Sequence, residues 1–449
     1  MRGQVSKSLG FIAILSVVIG NQIGSGAFNN PVVLSEFGYI GLLGLILSGI
    51  GAILLSLVFA RLSKHFPVNG GPHTYISAAF GRKAGFFIAW IYWIVSWLSN
   101  AVLLNTMISY LSLIFGEMSS RQAFFAQISV LIMITALNVA GIKTAGKSDI
   151  ALTIFKTTIF VVLPIVFMFC VKAENFAWDH TNYQYSTSTI CRTILLSFFG
   201  FIGVESATNA TENTKNPDRT IPLAIVTGTT IVAIVYLLNN ISIIGVLGFD
   251  TLKTVDAPYA VAIDKIMENI NLATHYKGGT IIAIISVLAC FGTLNSWTFT
   301  SGQIAYVSHK EGFFNASFGK TNKNGSPYNA ILLSAAGMIA CLMLGRITIV
   351  ENLLTKILEI SSSIFLYIYL LCCVSFLAML RKLEKKKSSA FVSAILSILS
   401  LAFCSLVLLS DILSGDGIST LIITTILIFT GIPVYLKNKK TILQRVQNV

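Results

Sequence analysis

The chain is poor in charge. Only 11% of its 449 residues are Asp, Glu, Lys or Arg, whereas 55% are hydrophobic, and a soluble domain carries about 25% charged residues. The charges fall in short stretches between apolar runs, some of them longer than the roughly 18–20 residues that cross a bilayer. A soluble fold of this composition would lack the polar surface needed to cover its apolar residues. The sequence therefore predicts a polytopic, all-α integral membrane protein that has the lipid bilayer as its solvent.

Patterns typical of metal sites and hydrolytic sites are also missing. The seven cysteines lie in or beside apolar runs without a C-x-x-C pair, and the five histidines lie in loops or at span ends without an H-E-x-x-H motif. These absences argue against a disulfide framework, a metal site and an intramembrane hydrolase. A channel would need polar rings repeated along a pore, and the polar positions instead cluster at one depth. We expect no cofactor, and we keep a channel and a membrane enzyme as the alternatives to a transporter.

Long apolar runs predict twelve transmembrane spans. They cover residues 9–35, 39–63, 84–115, 122–140, 149–171, 190–210, 221–247, 278–307, 327–346, 354–380, 389–411 and 418–436.

The net charge of +13 has two possible explanations: the protein binds a nucleic acid, or its cytoplasmic loops are rich in basic residues. When the N terminus is placed in the cytoplasm, 22 of the 31 Lys and Arg residues fall on the inner side and 8 on the outer side. This asymmetry follows the positive-inside rule. It predicts that both termini are cytoplasmic, and we expect no nucleic-acid partner.

Two of the predicted spans contain glycine and polar residues in their middle. Span 1 holds IGNQIGSGAFNNP, and span 6 holds SFFGFIGVESATNATEN. Each interior glycine costs about 1 kcal/mol relative to alanine in a helix. Broken helices at corresponding positions of two halves indicate the binding site of a transporter built from inverted repeats.

An unwound segment at membrane depth has a physical use. Its backbone is tolerated only where it is buried or lines a cavity, and the N–H groups at the start of a half-helix favour an anion. The carboxylate of a substrate fits such a place. The alternative is that these glycines only allow close helix packing.

These motifs resemble those of the amino acid–polyamine–organocation superfamily, and within it the basic amino acid/polyamine antiporters such as the arginine/agmatine exchangers. Four stretches carry the resemblance: IGSGAFNNP, FPVNGGPHTYISAAFG, FFGFIGVESATNATENTKNPDRTIPLAI and WTFTSGQIAYVSHKEGFF. The resemblance implies a leucine-transporter-like fold with a five-plus-five inverted repeat and discontinuous helices 1 and 6. It further implies a transport core over residues 1–380, with repeats at about 9–171 and 190–380, and two extra helices and a cytoplasmic tail over 389–449. A homodimer is common in this subfamily.

The resemblance also implies substrate-binding residues. In span 1 these are Ile23, Ser25 and Gly26; in span 3, Val95, Ser96, Asn100 and Leu103; in span 6, Phe199, Gly200 and Ile202; beyond these, Trp297 and Ser362. Trp297 matches an aromatic residue that stacks on a cationic tail, an interaction worth about 2 kcal/mol when desolvated. Phe199 and Gly200 stand where the arginine exchangers have Trp and Ser, and this difference weakens the case for arginine itself. For Asn100, an interhelical hydrogen bond remains the alternative role.

Three further residues are candidates for gating and proton coupling. Tyr92 and Glu205 match gate positions, and a carboxylate inside an apolar span is a functional candidate by default; a structural carboxyl group is the alternative. Lys156 lies in the middle of span 5, where a lysine needs an internal partner, and the carbonyls freed around Gly20–Gly24 are the best available. In sodium-coupled relatives of the fold a cation lies between spans 1 and 5, so an ammonium group there predicts transport without sodium. The alternative is a lysine that reaches the membrane surface.

Together these features predict a secondary transporter of amino acids or polyamines in a bacterial inner membrane. The preferred function is an antiporter that exchanges a basic amino acid for its amine or a related amino acid by alternating access. A proton-coupled symporter of a neutral amino acid is the alternative. The sequence does not identify the substrate.

Overall fold

The computed structural model describes residues 9–178, 186–269, 278–347 and 353–444. Within these ranges the regular structure is helical, apart from one isolated parallel bridge between Leu9 and Thr214. The all-α prediction is therefore confirmed for the described residues.

The first half of the chain contributes eight α-helices among the described residues. They are α1 (Phe11–Gln22), α2 (Ser25–Ser35), α3 (Tyr39–His65), α4 (Pro72–Phe80), α5 (Arg82–Leu98), α6 (Asn100–Phe115), α7 (Ser120–Ala140) and α8 (Ile142–Met168).

The second half contributes ten more α-helices among the described residues. They are α9 (Thr187–Phe198), α10 (Pro217–Leu247), α11 (Phe249–Leu252), α12 (Pro258–Asn269), α13 (Gly278–Lys310), α14 (Tyr328–Ile347), α15 (Leu353–Leu383), α16 (Lys387–Leu413), α17 (Asp416–Phe429) and α18 (Ile432–Gln444). Short 3-10 turns occupy Ala173–Phe176, Phe199–Phe201, Ser206–Asn213 and Ala316–Gly319.

The described helices form ten segments that are long and apolar enough to cross a bilayer, or eleven if the bent pair α17 and α18 counts as one span. The sequence predicts twelve. The difference arises at α14, whose apolar part, Tyr328–Leu344, is shorter than the others. The chain is thus a multi-pass membrane protein.

The fifth predicted span, 149–171, agrees at its start with the bilayer-length stretch Ile150–Met168, and the helix α8 extends beyond that stretch to Ile142. One predicted span is corrected by the structure. The last predicted span, 418–436, is not one straight helix, because its two parts, Gly417–Phe429 and Ile432–Ile442, are bent by 47°. Pro433 explains the bend: it removes a backbone donor and crowds the preceding turn.

Three long segments are interrupted near their middle. The first breaks between Gln22 and Ser25, and the second, α5–α6, is interrupted at Ser99. The third begins as α9 and gives way after Phe198 to a 3-10 turn and then to extended backbone at Ile202. The two breaks predicted from the glycine pattern, in spans 1 and 6, are therefore present.

Candidate functional site

The breaks in spans 1 and 6 lie against each other. A Cβ atom on Gly26 would collide with the Cα atom of Gly200, and one on Gly200 would collide with the ring of Tyr236. Backbone atoms cannot move aside as a flexible side chain can, so only glycine permits this approach. These glycines therefore bring the two unwound segments into direct contact.

At the span 6 break, Gly203 has a backbone conformation that residues with a side chain rarely adopt. Its φ is +104°, which favours glycine. A Cβ atom at this position would lie 2.9 Å from Cβ of Asn21 and 3.3 Å from Cζ2 of Trp297. The backbone of span 6 thus passes close to both the span 1 break and the predicted gate residue.

Hydrogen bonds tie the two breaks together. The Gln22 amide donates to the carbonyl of Phe201 at 3.2 Å and to the hydroxyl of Thr229 at 3.2 Å. The Tyr236 hydroxyl donates to the carbonyl of Gln22 at 2.5 Å. Carbonyls left without a helical partner where α1 ends therefore find side-chain donors.

Between the breaks lies a cavity of about 20 Å³, which has room for about one water molecule. An amino acid is several times larger, so the surrounding helices must separate to admit one. The lining residues come from both breaks, from the span 3 interruption and from α13; they are Asn21, Gln22, Gly24, Gly26, Ser99, Leu103, Phe199, Ile202, Thr293 and Trp297.

The predicted substrate residues divide into two groups. Gly26, Leu103, Phe199, Ile202 and Trp297 line the cavity. The others are buried but are not among its lining residues: Ile23, Val95, Ser96, Asn100, Gly200 and Ser362. Ser25 is the first residue of α2, and its side chain lies outside the described atoms.

Ser96 and Ile23 already have partners within the helices. The Ser96 hydroxyl donates to the carbonyl of Trp93 at 2.7 Å, a local bond within α5. The carbonyl of Ile23 accepts a 2.8 Å hydrogen bond from Thr293. Neither group points freely at a substrate in this conformation.

Asn100 differs from Ser96 in having no hydrogen-bond partner for either side-chain amide atom. The residue is fully buried at the start of α6. The interhelical hydrogen bond considered for it is therefore not formed in this conformation. Unpaired buried amide atoms cost about 1–3 kcal/mol, so such a group calls for an explanation. The three hydroxyls of Ser361, Ser362 and Ser363 on α15 are likewise unpaired and buried.

Trp297 is held by the unwound backbone of span 1. Its indole Nε1 donates to the carbonyl of Asn21 at 3.0 Å. Its ring meets the ring of Phe365 edge to face, with the centroids 6.0 Å apart. The Trp297 side chain is thus fixed at the cavity wall by one polar contact and one aromatic contact.

Glu205 is fully buried directly after the span 6 break. Its Oε1 atom accepts a 2.8 Å hydrogen bond from the Tyr92 hydroxyl, and its Oε2 atom accepts one from the Tyr369 hydroxyl. One carboxylate therefore joins spans 3, 6 and 10. A gain or loss of the Glu205 proton would change the contacts among all three.

Lys156 reaches span 1 from the middle of α8. Its ammonium donates to the carbonyl of Gly20 at 2.5 Å and to the hydroxyl of Thr293 at 2.7 Å. The side chain is fully buried, so it does not extend to the membrane surface. The contact lies where the sequence predicts it, among the carbonyls around Gly20–Gly24.

Comparison with known proteins agrees with this architecture. The family model described as "Amino acid permease" matches residues 9–433. The chain belongs to the amino acid permease family. It is one of the amino acid–polyamine–organocation transporters, in the group of the basic amino acid/polyamine antiporters.

Several named transporters are similar to this permease. A cadaverine/lysine antiporter of Escherichia coli strain K12 is 30% identical over 441 residues, which is 93% of this chain and 94% of the relative. A Bacillus subtilis protein provisionally named an arginine/ornithine antiporter is 29% identical over 362 residues, covering 73% and 75% of the two chains. The putrescine transporter PotE of Escherichia coli is 25% identical over 335 residues, covering 73% of each.

Sequence reasoning missed several residues of the permease site. Gln22, Ser99, Thr293, Tyr236 and Tyr369 contact the breaks, the cavity or Glu205. Polar residues are rare inside apolar spans, and this rarity was the available signal for Gln22 and Thr293. Tyrosines at span positions carry no comparable signal, because most of them serve as interfacial or packing residues.

Proposed function

We propose that the permease is a secondary antiporter of a bacterial inner membrane, which exchanges a basic amino acid for its amine or a related amino acid by alternating access. The observation that carries the proposal is the cavity formed where the breaks of spans 1 and 6 meet. A cavity at a repeat interface, formed by discontinuous helices, is where secondary transporters bind cargo.

The residues around the cavity support recognition of both ends of an amino acid. The first N–H groups of α2, at Ser25 and Gly26, begin a helix and favour a carboxylate. Phe199 and Trp297 are aromatic walls that suit a cationic tail. Asn100 and Ser362 supply buried polar atoms without partners, which a polar cargo satisfies once spans 3 and 10 shift towards it.

A five-plus-five inverted repeat with twelve spans is part of the proposal. The breaks fall five spans apart, at α1–α2 and after α9, as such a repeat requires. Residues 1–380 then form the transport core, with repeats near 9–171 and 190–380, while 389–449 add two further helices and a cytoplasmic tail. Both termini lie in the cytoplasm, and two copies form a dimer.

Lys156 and Glu205 supply the coupling in this proposal. The Lys156 ammonium donates hydrogen bonds to oxygen atoms that would otherwise be able to bind a sodium ion. Exchange therefore proceeds without sodium. Glu205, with its hydroxyl partners Tyr92 and Tyr369, acts as the proton-sensitive gate.

Proton-coupled uptake of a neutral amino acid is the second candidate. One observation favours it: the described residues that line the cavity include no charged side chain, so a cationic tail would rely on the faces of aromatic rings. At position 200, a Cβ atom such as that of serine would collide with the Tyr236 ring. The pocket therefore lacks one polar group that the arginine exchangers have.

Reconstitution into sealed vesicles separates these functions. We expect saturable uptake of a radiolabelled basic amino acid or polyamine in a screen that also contains neutral amino acids. Uptake of only neutral amino acids, driven by a proton gradient, would favour the second candidate. Ionic conductance without saturation would indicate a channel, and a chemically altered product would indicate an enzyme.

A further inference from the structure

A buried histidine lies between Glu205 and the aqueous surface. His73, in the first turn of α4, is fully buried, and its Nε2 atom lies 3.2 Å from Oε2 of Glu311. Glu311 follows the last residue of α13, and its side chain is 25% exposed. The pair therefore joins a solvent-accessible carboxylate to an interior imidazole.

The loop before α4 places this pair next to the span 6 segment that follows Glu205. A Cβ atom on Gly70 would lie 3.2 Å from His73 Nε2 and 3.3 Å from Glu311 Oε1. A Cβ atom on the next residue, Gly71, would lie 2.6 Å from the Thr208 hydroxyl and 3.8 Å from Oδ1 of Asn209. Two consecutive residues of this loop therefore contact the His73–Glu311 pair on one hand and the Thr208–Asn209 segment on the other.

Thr208 and Asn209 lead back to the buried carboxylate. The Thr208 hydroxyl donates to the backbone carbonyl of Glu205 at 2.6 Å. The Asn209 amide lies beside the Tyr92 hydroxyl, which donates to Glu205 Oε1. A row of polar groups thus runs from the Glu205 carboxylate to Glu311.

Several atoms along this row are buried without a hydrogen-bond partner. They include the Ser206 hydroxyl, both amide atoms of Asn209 and both ring nitrogens of His73, whose Nε2 atom approaches Glu311 Oε2 at 3.2 Å without hydrogen-bond geometry. Most buried polar atoms in proteins are paired, often through ordered water. Ordered water along the row would complete the hydrogen bonds of these atoms, and water between polar groups conducts protons.

We propose that His73 is the proton relay between Glu205 and the surface carboxylate of Glu311. The proposal rests on the function proposed above for Glu205. The Glu205 carboxyl group loses a proton, which passes through water held near Tyr92 and Asn209, and His73 gains it at Nδ1. The imidazolium then releases a proton from Nε2 to Glu311, which passes it to bulk water. One proton moves per passage, a ring flip restores the first tautomer, and the reverse steps protonate Glu205.

The charges around His73 suit this relay. On its own helix the titratable neighbour is Tyr75, and from α15 the Cys372 thiol approaches the carbonyl of Pro72 at 4.0 Å. From α5, Arg82 donates to the backbone carbonyl of Glu311. Burial raises the pKa of the Glu311 carboxyl, but His73, Arg82 and a hydrogen bond from Thr74 hold it below its usual value. Glu311 is therefore an ionised acceptor at neutral pH, directly beside the His73 imidazole.

A second histidine–carboxylate pair offers a matched control. His65, at the end of α3, lies 3.5 Å from Glu384. Glu384 also accepts hydrogen bonds from Ser389 and Ser393, on the other side of the α15–α16 turn. Among the described residues, none of the contacts of this pair leads to Glu205, so His65→Gln removes an imidazole beside a carboxylate without touching the proposed path. The His65 side chain is 23% exposed, whereas that of His73 is fully buried.

The test measures exchange of radiolabelled lysine and of cadaverine by the full chain in vesicles, across a pH series, for wild type, His73→Gln, Glu311→Gln and His65→Gln. We expect the maximal rate of His73→Gln and Glu311→Gln to fall about tenfold with KM unchanged. We also expect the solvent deuterium isotope effect on that rate to rise, while His65→Gln matches wild type. Imidazole added to His73→Ala should restore part of the lost rate, because a free imidazole carries protons without rebuilding a structural contact.

Three outcomes would overturn the relay. A wild-type rate in both His73→Gln and Glu311→Gln excludes it, and so does a loss shared equally by His65→Gln. A loss that appears only in KM, with no isotope effect and no imidazole rescue, would show a structural role instead. If His73→Gln fails to fold, the surface variant Glu311→Gln decides the question. The Glu205→Gln variant separates the relay from the gate on which it depends. If this variant keeps the wild-type pH profile, the proposed gate is wrong. If it flattens the profile while the relay variants keep the wild-type rate, only the relay is wrong.

Discussion

The ammonium of Lys156 lies 2.5 Å from the carbonyl oxygen of Gly20, just before the first span unwinds. The same ammonium binds Thr293, whose hydroxyl also contacts the carbonyl of Ile23. A positive charge carried by span 5 thus lies among oxygen atoms from spans 1 and 8. An isolated buried charge is expensive, and these contacts offset part of that cost. A second cation at the same place would be repelled.

We predict that transport by wild type is unchanged when choline replaces sodium. Lys156→Met removes the ammonium but keeps a long apolar side chain, and it should lower the exchange rate and alter its pH response. The measurement is lysine uptake into vesicles across a pH series in sodium-free buffer. Lys265→Met is the control, because Lys265 also donates to a backbone carbonyl, that of Leu247, but lies away from the breaks. A wild type that stops without sodium contradicts the prediction.

Glu205→Gln should flatten the pH dependence of transport. The amide resembles the protonated acid in shape but does not titrate, and it can still accept a hydrogen bond from Tyr92 or Tyr369. The measurement is the initial exchange rate from about pH 5 to pH 8, with Glu384→Gln as the matched control at the water-exposed end of α15. A Glu205→Gln profile that follows the wild type would place the proton sensor elsewhere.

Trp297→Ala should weaken lysine binding more than Trp297→Phe. Both variants lose the hydrogen bond to the Asn21 carbonyl, so their difference reports the aromatic ring without that bond. A cation–π contact of roughly 1–2 kcal/mol corresponds to about a five- to thirtyfold difference in affinity. Calorimetric titration of the purified variants measures it. Equal affinities for the two variants would remove the stacking role and leave only the contact to span 1.

Asn100→Leu should leave the protein as stable as wild type, or more stable, while reducing the affinity for cargo. The buried amide of Asn100 has no partner to lose, and an apolar side chain of similar size removes its desolvation cost. Asn239 is the matched control. Its amide donates to the carbonyls of Phe160 and Val235 and accepts from Tyr259, so Asn239→Leu should lower the thermal midpoint by several degrees. A destabilised Asn100→Leu with normal binding would show that Asn100 is structural.

The sequence predicts the broken spans because glycine and polar residues interrupt otherwise apolar runs, and the structure confirms both breaks. The partner of Lys156 is also predictable, since few unpaired acceptors exist at that depth. The partners of Glu205 and Trp297 are not predictable in this way. Tyr369 and the Asn21 carbonyl approach them only through packing of distant helices, which leaves no periodic pattern in the sequence. The sequence does not predict the third interruption, at Ser99, because no glycine or proline occurs at that position.

The central claim is obligatory exchange, and one measurement tests it most directly. Purified protein is placed in vesicles that are either empty or loaded with unlabelled cadaverine, and the initial uptake of radiolabelled lysine is compared at equal pH on both sides and without sodium. With lysine and cadaverine as the probe pair of a basic amino acid and its amine, the account predicts that loaded vesicles take up the amino acid at least tenfold faster than empty ones, and that each amino acid entering is matched by one amine leaving. Equal uptake into empty and loaded vesicles, or uptake of neutral amino acids only, would contradict it.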